Sequence, residues 1–373
     1  MRLDEACSHI VDCEHKTAPV DGYGEFFAVG TPAMRDHRIN YDEARRISAE
    51  TFETWTRRLK PAPGDLLLAR EAPVGPVVLL PDSARVAPGQ RTVLLRPDPL
   101  TTNSTFLYYS LRSPATQAAL QVKAEGSTVR HLNVSDIRSF KVRMPPLAEQ
   151  EAIAEVLGAL DDKIAANTAL ATTAVELART SYWASVRGPE AVDVRVDSLL
   201  QHGAGKYLTK DSYADGGQYV VYGSNSIMGS HSHANTTGPF LVLARIGSNC
   251  GSFQWSQRDA WVNNNASALT AIAGIDPYLL RFALDKLDMS AHLAGSGQPF
   301  VRIESLLKDV VTIPPTHDAA VLGALIGNVG EFELSLHDEN RTLAATRDAL
   351  LPQLMSGKLR VRDAEVIASD AGA

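Results

Sequence analysis

Arginine and lysine match guanine edges, asparagine and glutamine match adenine, and hydroxyls, amides and cations hold phosphates. This chain carries such side chains in short Gly-, Ser- and Asn-containing loops, and it carries them twice. Arg70 closes the apolar run Leu66-Leu67-Leu68-Ala69. Arg245 closes Leu241-Val242-Leu243-Ala244, with Ser248 and Asn249 in the turn that follows. Gly126 leads into Ser127, Thr128, Arg130 and His131, and Gly295 leads into Ser296 and Gln298. Tyr222, Ser224 and Asn225 form one more polar loop, and Lys16 and Lys206 sit near the opening of each half. The chemistry these side chains offer is hydrogen bonding, which nucleic-acid edges and phosphates could accept among other partners, not bond breaking. Each candidate has a plainer structural role: an arginine at a strand end can pair with a local carboxylate, and a Gly-Ser pair can be only a tight turn.

Motifs for catalysis are missing. There is no Asn/Asp-Pro-Pro-Tyr/Phe adenine-methylase motif, no Gly-x-x-x-x-Gly-Lys-Ser/Thr phosphate loop and no Gly-x-Gly-x-x-Gly. Gly203-Ala204-Gly205-Lys206 is too short for a phosphate loop and has Tyr207 where Ser or Thr is needed. His231 and His233 lack a Cys or carboxylate partner at metal spacing and read as a solvated loop. The three cysteines, Cys7, Cys13 and Cys250, form neither a disulfide framework nor a zinc pattern. No metal or cofactor is expected on this chain. No apolar run is expected to span a membrane, the start does not read as a signal peptide, and a cytoplasmic location is expected.

The elements that must position these loops are repeated. Gly126-Ser127 through Pro145-Pro146 recurs 169 residues later as Gly295-Ser296 through Pro314-Pro315, without a gap. Val-Leu-Gly-Ala-Leu follows at 156–160 and again at 321–325, an offset of 165, about one helical turn fewer. Arg2-Leu3-Asp4 parallels Arg195-Val196-Asp197, and Leu-x-Leu-Ala-Arg occurs at 66–70 and 241–245. Short helices are expected around Phe106–Leu111 and Tyr278–Leu284. Short strands and frequent turn residues predict a mixed, mostly β module that occurs twice. The net charge of −7 taken alone argues against nucleic acid, but the acidity lies in the helical segments and both modules are near neutral.

After each Pro-Pro pair the pattern turns helical. Ile153, Leu157, Leu160, Ile164 and Asn167, continuing through alanines 171, 174 and 178, form one heptad seam. Leu322, Leu325, Val329, Phe332, Leu336, Leu343 and Leu350 form the other. Gly188-Pro189 is expected to stop the first helix, and Pro352 and Gly357 to punctuate the second. Two seams in one chain supply each other's partner. The expected fold is α+β: two similar, mostly β modules joined by two long antiparallel coiled-coil helices, with a pseudo-two-fold relation. The expected boundaries are module one 1–145, central helix 146–189, module two 190–315, distal helix 316–362 and a tail 363–373. About 40 residues per helix make a rod of roughly 60 Å.

At this point the residues resemble a known family. Pro145-Pro146-Leu147-Ala148-Glu149-Gln150, with Val156 to Ile164, Asn167 and Leu170, is similar to the central conserved region of Type I restriction-modification specificity subunits. Leu350 to Val361 resembles the end of their distal helix. Arg70-Glu71-Ala72-Pro73-Val74-Gly75, Val221 to Gly229 and Trp261 to Ala266 look like pieces of their target-recognition domains. One departure stands out: Thr316-His317-Asp318-Ala319 replaces the Glu-Gln motif after the second Pro-Pro. The resemblance implies a non-catalytic subunit with two target-recognition domains that reads a bipartite site in double-stranded DNA. It implies two methyltransferase subunits as partners, carrying S-adenosylmethionine, and through them restriction subunits using ATP and Mg. The competing readings are a coiled-coil scaffold without a DNA role and a fused methyltransferase or nuclease.

Overall fold

The computed structural model describes residues 1–81, 85–126, 129–214, 216–224 and 226–373, with Lys210 described by its backbone only. Contacts divide the chain into two compact units, 1–166 with 339–373, and 167–338. Each long helix therefore contributes one stretch to each unit.

In the first unit, Cys7–Asp12 (β1), Leu66–Arg70 (β2), Val74–Leu79 (β3) and Thr92–Pro97 (β4) form an antiparallel sheet in the order β1-β4-β2-β3. Leu66, Leu67 and Leu68 are all fully buried, because both faces of β2 are covered. On one face pack the helices Ser104–Arg112 (α1) and Pro114–Lys123 (α2). α1 starts where the Asn103 side chain accepts from Phe106 N at 2.9 Å, and α2 has a Ser113 cap with proline at its first position. Burial of Phe106, Leu107 and Leu111 contributes on the order of 1.5–3 kcal/mol each. A smaller sheet centres on Phe26–Val29, flanked by antiparallel Arg45–Ile47 and parallel Val86–Pro88.

The second unit repeats this plan. Leu200–Ala204 (β5), Phe240–Ala244 (β6), Phe253–Ser256 (β7) and Ala266–Ala271 (β8) take the order β5-β8-β6-β7. Its smaller sheet centres on Tyr219–Tyr222, between antiparallel Ile227–His231 and parallel Ala260–Val262. The helix expected near Tyr278–Leu284 is a 3-10 turn, Pro277–Leu279, running into a short α-helix, Leu280–Ala283. The sequence repeat is also a hydrogen-bond repeat. Leu3 N donates to Phe140 O, and Val196 N donates to Asp309 O, 169 residues on from residue 140.

The central helix (α3) spans Leu147–Val186, and the distal helix (α4) spans Thr316–Ser356. In the first unit Ile153, Leu157 and Leu160 share a core with Leu343, Leu350, Leu351 and Leu354, and Ile164 packs at its edge. The cross-links run in opposite directions along the two helices, which makes them antiparallel. Asn340 Nδ2 donates to Ile164 O at 3.3 Å, and Arg347 Nη1 meets Asp161 Oδ1 at 2.5 Å. Just ahead of α3, Arg143 Nη1 donates to Leu354 O and Met355 O, at 3.3 and 3.1 Å. In the second unit Ala178 and Tyr182 pack on Leu322 and Ile326, and Ser185 Oγ donates to Asp318 Oδ2 at 2.6 Å.

Four expectations are corrected. Phe332 is 42% exposed and off the seam, while Leu325 is only half-buried. Their inward places go to Ile326 and Gly330, because a 3.6-residue helix drifts from a strict heptad and Gln257 lies against Gly330. Pro352 lies inside α4, near an exposed end where one lost donor costs little, and the helix ends at Gly357, whose φ is +71°. Residues 363–373, expected as a tail, hold most of a further helix, Val361–Asp370 (α5), with Ala364 and Ala368 buried in the first core. Finally, α4 is long and apolar enough by length and composition to cross a membrane, contrary to expectation. Leu322, Ile326 and Leu336 on it are buried against protein.

Gly205 has a structural use. A Cβ there would lie 2.0 Å from Asn263 O and 2.7 Å from Ala266 O, both backbone atoms that cannot swing away. Gly205→Ala should therefore destabilise the second unit by at least about 1–3 kcal/mol, as overpacking does. Chemical denaturation followed by Trp255 and Trp261 fluorescence measures it, and an unchanged midpoint would contradict the assignment.

Candidate nucleic-acid interface

Three loops meet at the end of the central strand in each module, through the same backbone bonds. In module one Arg70 N donates to Arg91 O at 3.0 Å, and Leu132 N donates to Arg70 O at 2.8 Å. In module two Arg245 N donates to Asn265 O, and Val301 N to Arg245 O, both at 3.0 Å. The strand registers agree: Ala69 faces Thr92, and Ala244 faces Ala266. The Gly-Ser turns are closed alike, by bridges Glu125–His131 and Ala294–Phe300. Both turns need glycine. Gly126 has φ +105° and Gly295 φ +91°, and a Cβ would meet Val129 O at 2.4 Å or Gln298 O at 2.6 Å.

The candidate side chains divide into three groups. Lys16, Arg130, Lys206, Ser248, Asn249, Ser296 and Gln298 are exposed, while His131, Ser224 and Arg245 are half-buried. Lys206 joins the meeting point of module two, its backbone bridged to Asn263. Arg245 Nη2 donates to Asn264 O at 3.2 Å, which aims the guanidinium along the loop. Ser127, Thr128 and Asn225 lie outside the described residues.

Two candidates point inward. Arg70 has 11% side-chain exposure: its Nε lies 3.2 Å from Asp12 Oδ1, and its Nη1 donates to Leu132 O at 3.3 Å. It braces the loops, held by an ion pair with Asp12 on one side and a hydrogen bond to the Leu132 carbonyl on the other. Tyr222 packs beside Phe240 and Val242 and donates its hydroxyl to Trp255 O at 3.4 Å, so it does not line a groove. Burial pushes its phenol pKa up. The sequence reading missed Arg91 and Asn265, which occupy one equivalent turn position and are both exposed. Each directly precedes the next strand, β4 or β8, but their loops differ in length and share no motif.

The helix ends are fixed to the modules by buried polar groups. Gln150 of the Pro-Pro-Leu-x-Glu-Gln motif is 1% exposed. Its Oε1 accepts from Asn103 N at 3.0 Å, and its Nε2 donates to Thr101 O at 3.0 Å and Pro145 O at 2.9 Å. Asp161, about three turns further along α3, gathers Tyr109 Oη at 2.7 Å, Arg112 Nη1 at 3.2 Å, Arg347 and, at 3.4 Å, Arg38. Burial by itself raises this carboxyl's pKa; Tyr109, Arg347 and Arg112 outweigh it and hold the group below its usual value. In the second repeat Ala319 stands in the place of Gln150, and Asp318 bonds Ser185 instead. Gly323, Gly327 and Gly330 of α4 let Asp276, Tyr278 and Gln257 approach closely.

Among the described residues no group of His, Cys, Asp and Glu is placed to hold a metal ion. The arrangement is that of a recognition protein: like modules, each with one loop cluster of donors and acceptors, mounted on a shared helix pair.

The family model for the Type I restriction modification DNA specificity domain matches residues 36–174 and again 190–324. The chain belongs to that family. It is a Type I restriction-modification specificity subunit with two recognition domains, a non-catalytic DNA-recognition component rather than an enzyme. It is similar to the Type I restriction enzyme MjaIX specificity subunit of Methanocaldococcus jannaschii, with 23% identity over 365 residues, 86% of this chain and 83% of that one. A shorter match, 30% over 100 residues, covers 27% of this chain and 23% of the putative MjaX specificity subunit of the same organism. In fold it resembles the crystal structure of the Type I restriction-modification system S subunit from M. genitalium, with TM-score 0.60, 17% identity and 95% of both chains covered.

Proposed function

We propose that this chain reads a bipartite site in double-stranded DNA, one half-site per module, and that the two long helices set the unread spacer between them. The observation that supports this most is the repeated meeting of three loops, built by the same bonds on the same strand register in both modules. A duplicated scaffold with different loop residues suits a target with two different halves. We further propose that the chain docks two methyltransferase subunits, which carry S-adenosylmethionine, and through them restriction subunits that use ATP and Mg. The cofactors belong to those partners, and this chain's residues are assigned no step in the chemistry.

The test is binding by the complex of this chain with its methyltransferase subunits. Phosphate contacts release counterions, so affinity should fall steeply, roughly 10³-fold or more between 50 and 200 mM salt if six or more phosphates are held. A salt-independent affinity, or failure of the chain to co-purify with a methyltransferase, would contradict the proposal.

A further inference from the structure

Arg91 and Asn265 hold the same place in the two modules. Each is the last turn residue before the strand that pairs with the central strand, and each gives its carbonyl to the backbone of the arginine ending that strand, at 3.0 Å. Both side chains are exposed at the loop cluster. On the loops of module one the exposed polar side chains include Lys16, Gln90 and Arg130; on those of module two they include Lys206, Asn249 and Gln298. The scaffold is held constant while the side chain at this one turn position changes from a cation to an amide.

Chemistry separates the two side chains. A guanidinium presents two parallel donors to guanine O6 and N7, while a carboxamide donates to adenine N7 and accepts from N6. Arg91 is steered by Glu71: its Nε lies 3.3 Å from Glu71 Oε1 while 44% of its side chain stays exposed, and its backbone φ is +70°. Asn265 sits on the turn that receives both Arg245 N and Ile246 N, so its backbone is fixed.

Resting on the reading of the chain as a DNA-specificity subunit, we infer that Arg91 and Asn265 are matched specificity-determining residues. Arg91 reads a G·C pair in the half-site of module one, and Asn265 reads an A·T pair in the half-site of module two. An arginine-for-asparagine exchange at this one place should exchange the base read.

The experiment uses the full complex with its methyltransferase subunits on a library of random-sequence DNA, mapping methylated adenines. The variants are Arg91→Asn, Asn265→Arg and the alanine forms of each. Asn265→Arg should move one position of one half-site from A·T to G·C, with a preference change of roughly tenfold or more, and leave the other half-site unchanged. Arg91→Asn should do the reverse in the other half-site. If an exchanged variant methylates too little to map, the alanine variant decides, and it should relax that single position. Folded variants that keep every wild-type base preference would overturn the inference, as would loss confined to overall affinity. A wild-type complex that methylates without sequence preference would instead overturn the underlying reading.

Discussion

Asp161→Ala should cost the first unit about 3 kcal/mol, the lower end of the range for removing one partner of a buried charge pair, because the carboxylate is partly exposed and Arg347 keeps Asp348. The substitution leaves Arg112 and Arg347, with 9% and 13% side-chain exposure, facing each other without the carboxylate that joins them. Tyr109 loses one of its two acceptors and keeps Leu157 O, at 2.9 Å. Natural stabilities are only about 5–15 kcal/mol, so much of the unit's margin would go. Asp161 lies where module one, the central helix and the distal helix all contribute a side chain, so the loss should spread to all three. Equilibrium urea unfolding measures the effect, with Asp162→Ala as the exposed neighbour expected within about 0.5 kcal/mol of wild type. A shift of less than 1 kcal/mol for Asp161→Ala would show that the cluster is ornamental. The pH dependence has a fixed sign. The folded-state pKa is depressed, so the contribution is fully present above the unfolded carboxylate value, near 3.9, and is lost as pH falls below it through the folded value.

Removing one heptad from each long helix at paired positions should shorten the recognised spacer by about three base pairs. Seven residues rise about 10.5 Å, and base pairs stack about every 3.4 Å. Both half-sites should keep their sequences, because no loop residue changes. Removing a heptad from one helix alone should abolish specific methylation, since the seams would no longer meet in register. A spacer that stays the same after the paired deletion, or a half-site that changes, would show that the helices are not the ruler. The change is measured by methylation of substrates with graded spacers.

The repeat is what made this architecture legible from sequence. Gly126 and Gly295 announce a positive-φ turn, and the gapless stretch to Pro-Pro carries the same backbone bonds in both copies. Leu-x-Leu-Ala-Arg marks the central strand twice, because a strand covered on both faces must be apolar throughout. The helices were visible as seams, yet their fine register was not. Phe332 satisfies the heptad and lies outside it, since Gln257 reaches α4 from a distant loop and takes the space at Gly330. The reading loops were the least legible part. Arg70 is a plausible base contact by type and position, and only the fold shows Asp12 waiting for it. Arg91 and Asn265 are not legible as a pair, because strand register, not sequence spacing, makes them equivalent. Gln150 was visible as a motif, but its role in holding Asn103 and Thr101 is a long-range contact that no local pattern encodes.

The central claim is that this chain chooses the DNA sequence on which its partners act. Mapping methylated adenines across the host genome, with and without the gene for this chain, tests it most directly. The account predicts one bipartite motif with two dissimilar halves and a constant spacer, methylated when the chain is present and unmodified when it is absent. A methylation pattern that is unchanged without the chain would contradict it.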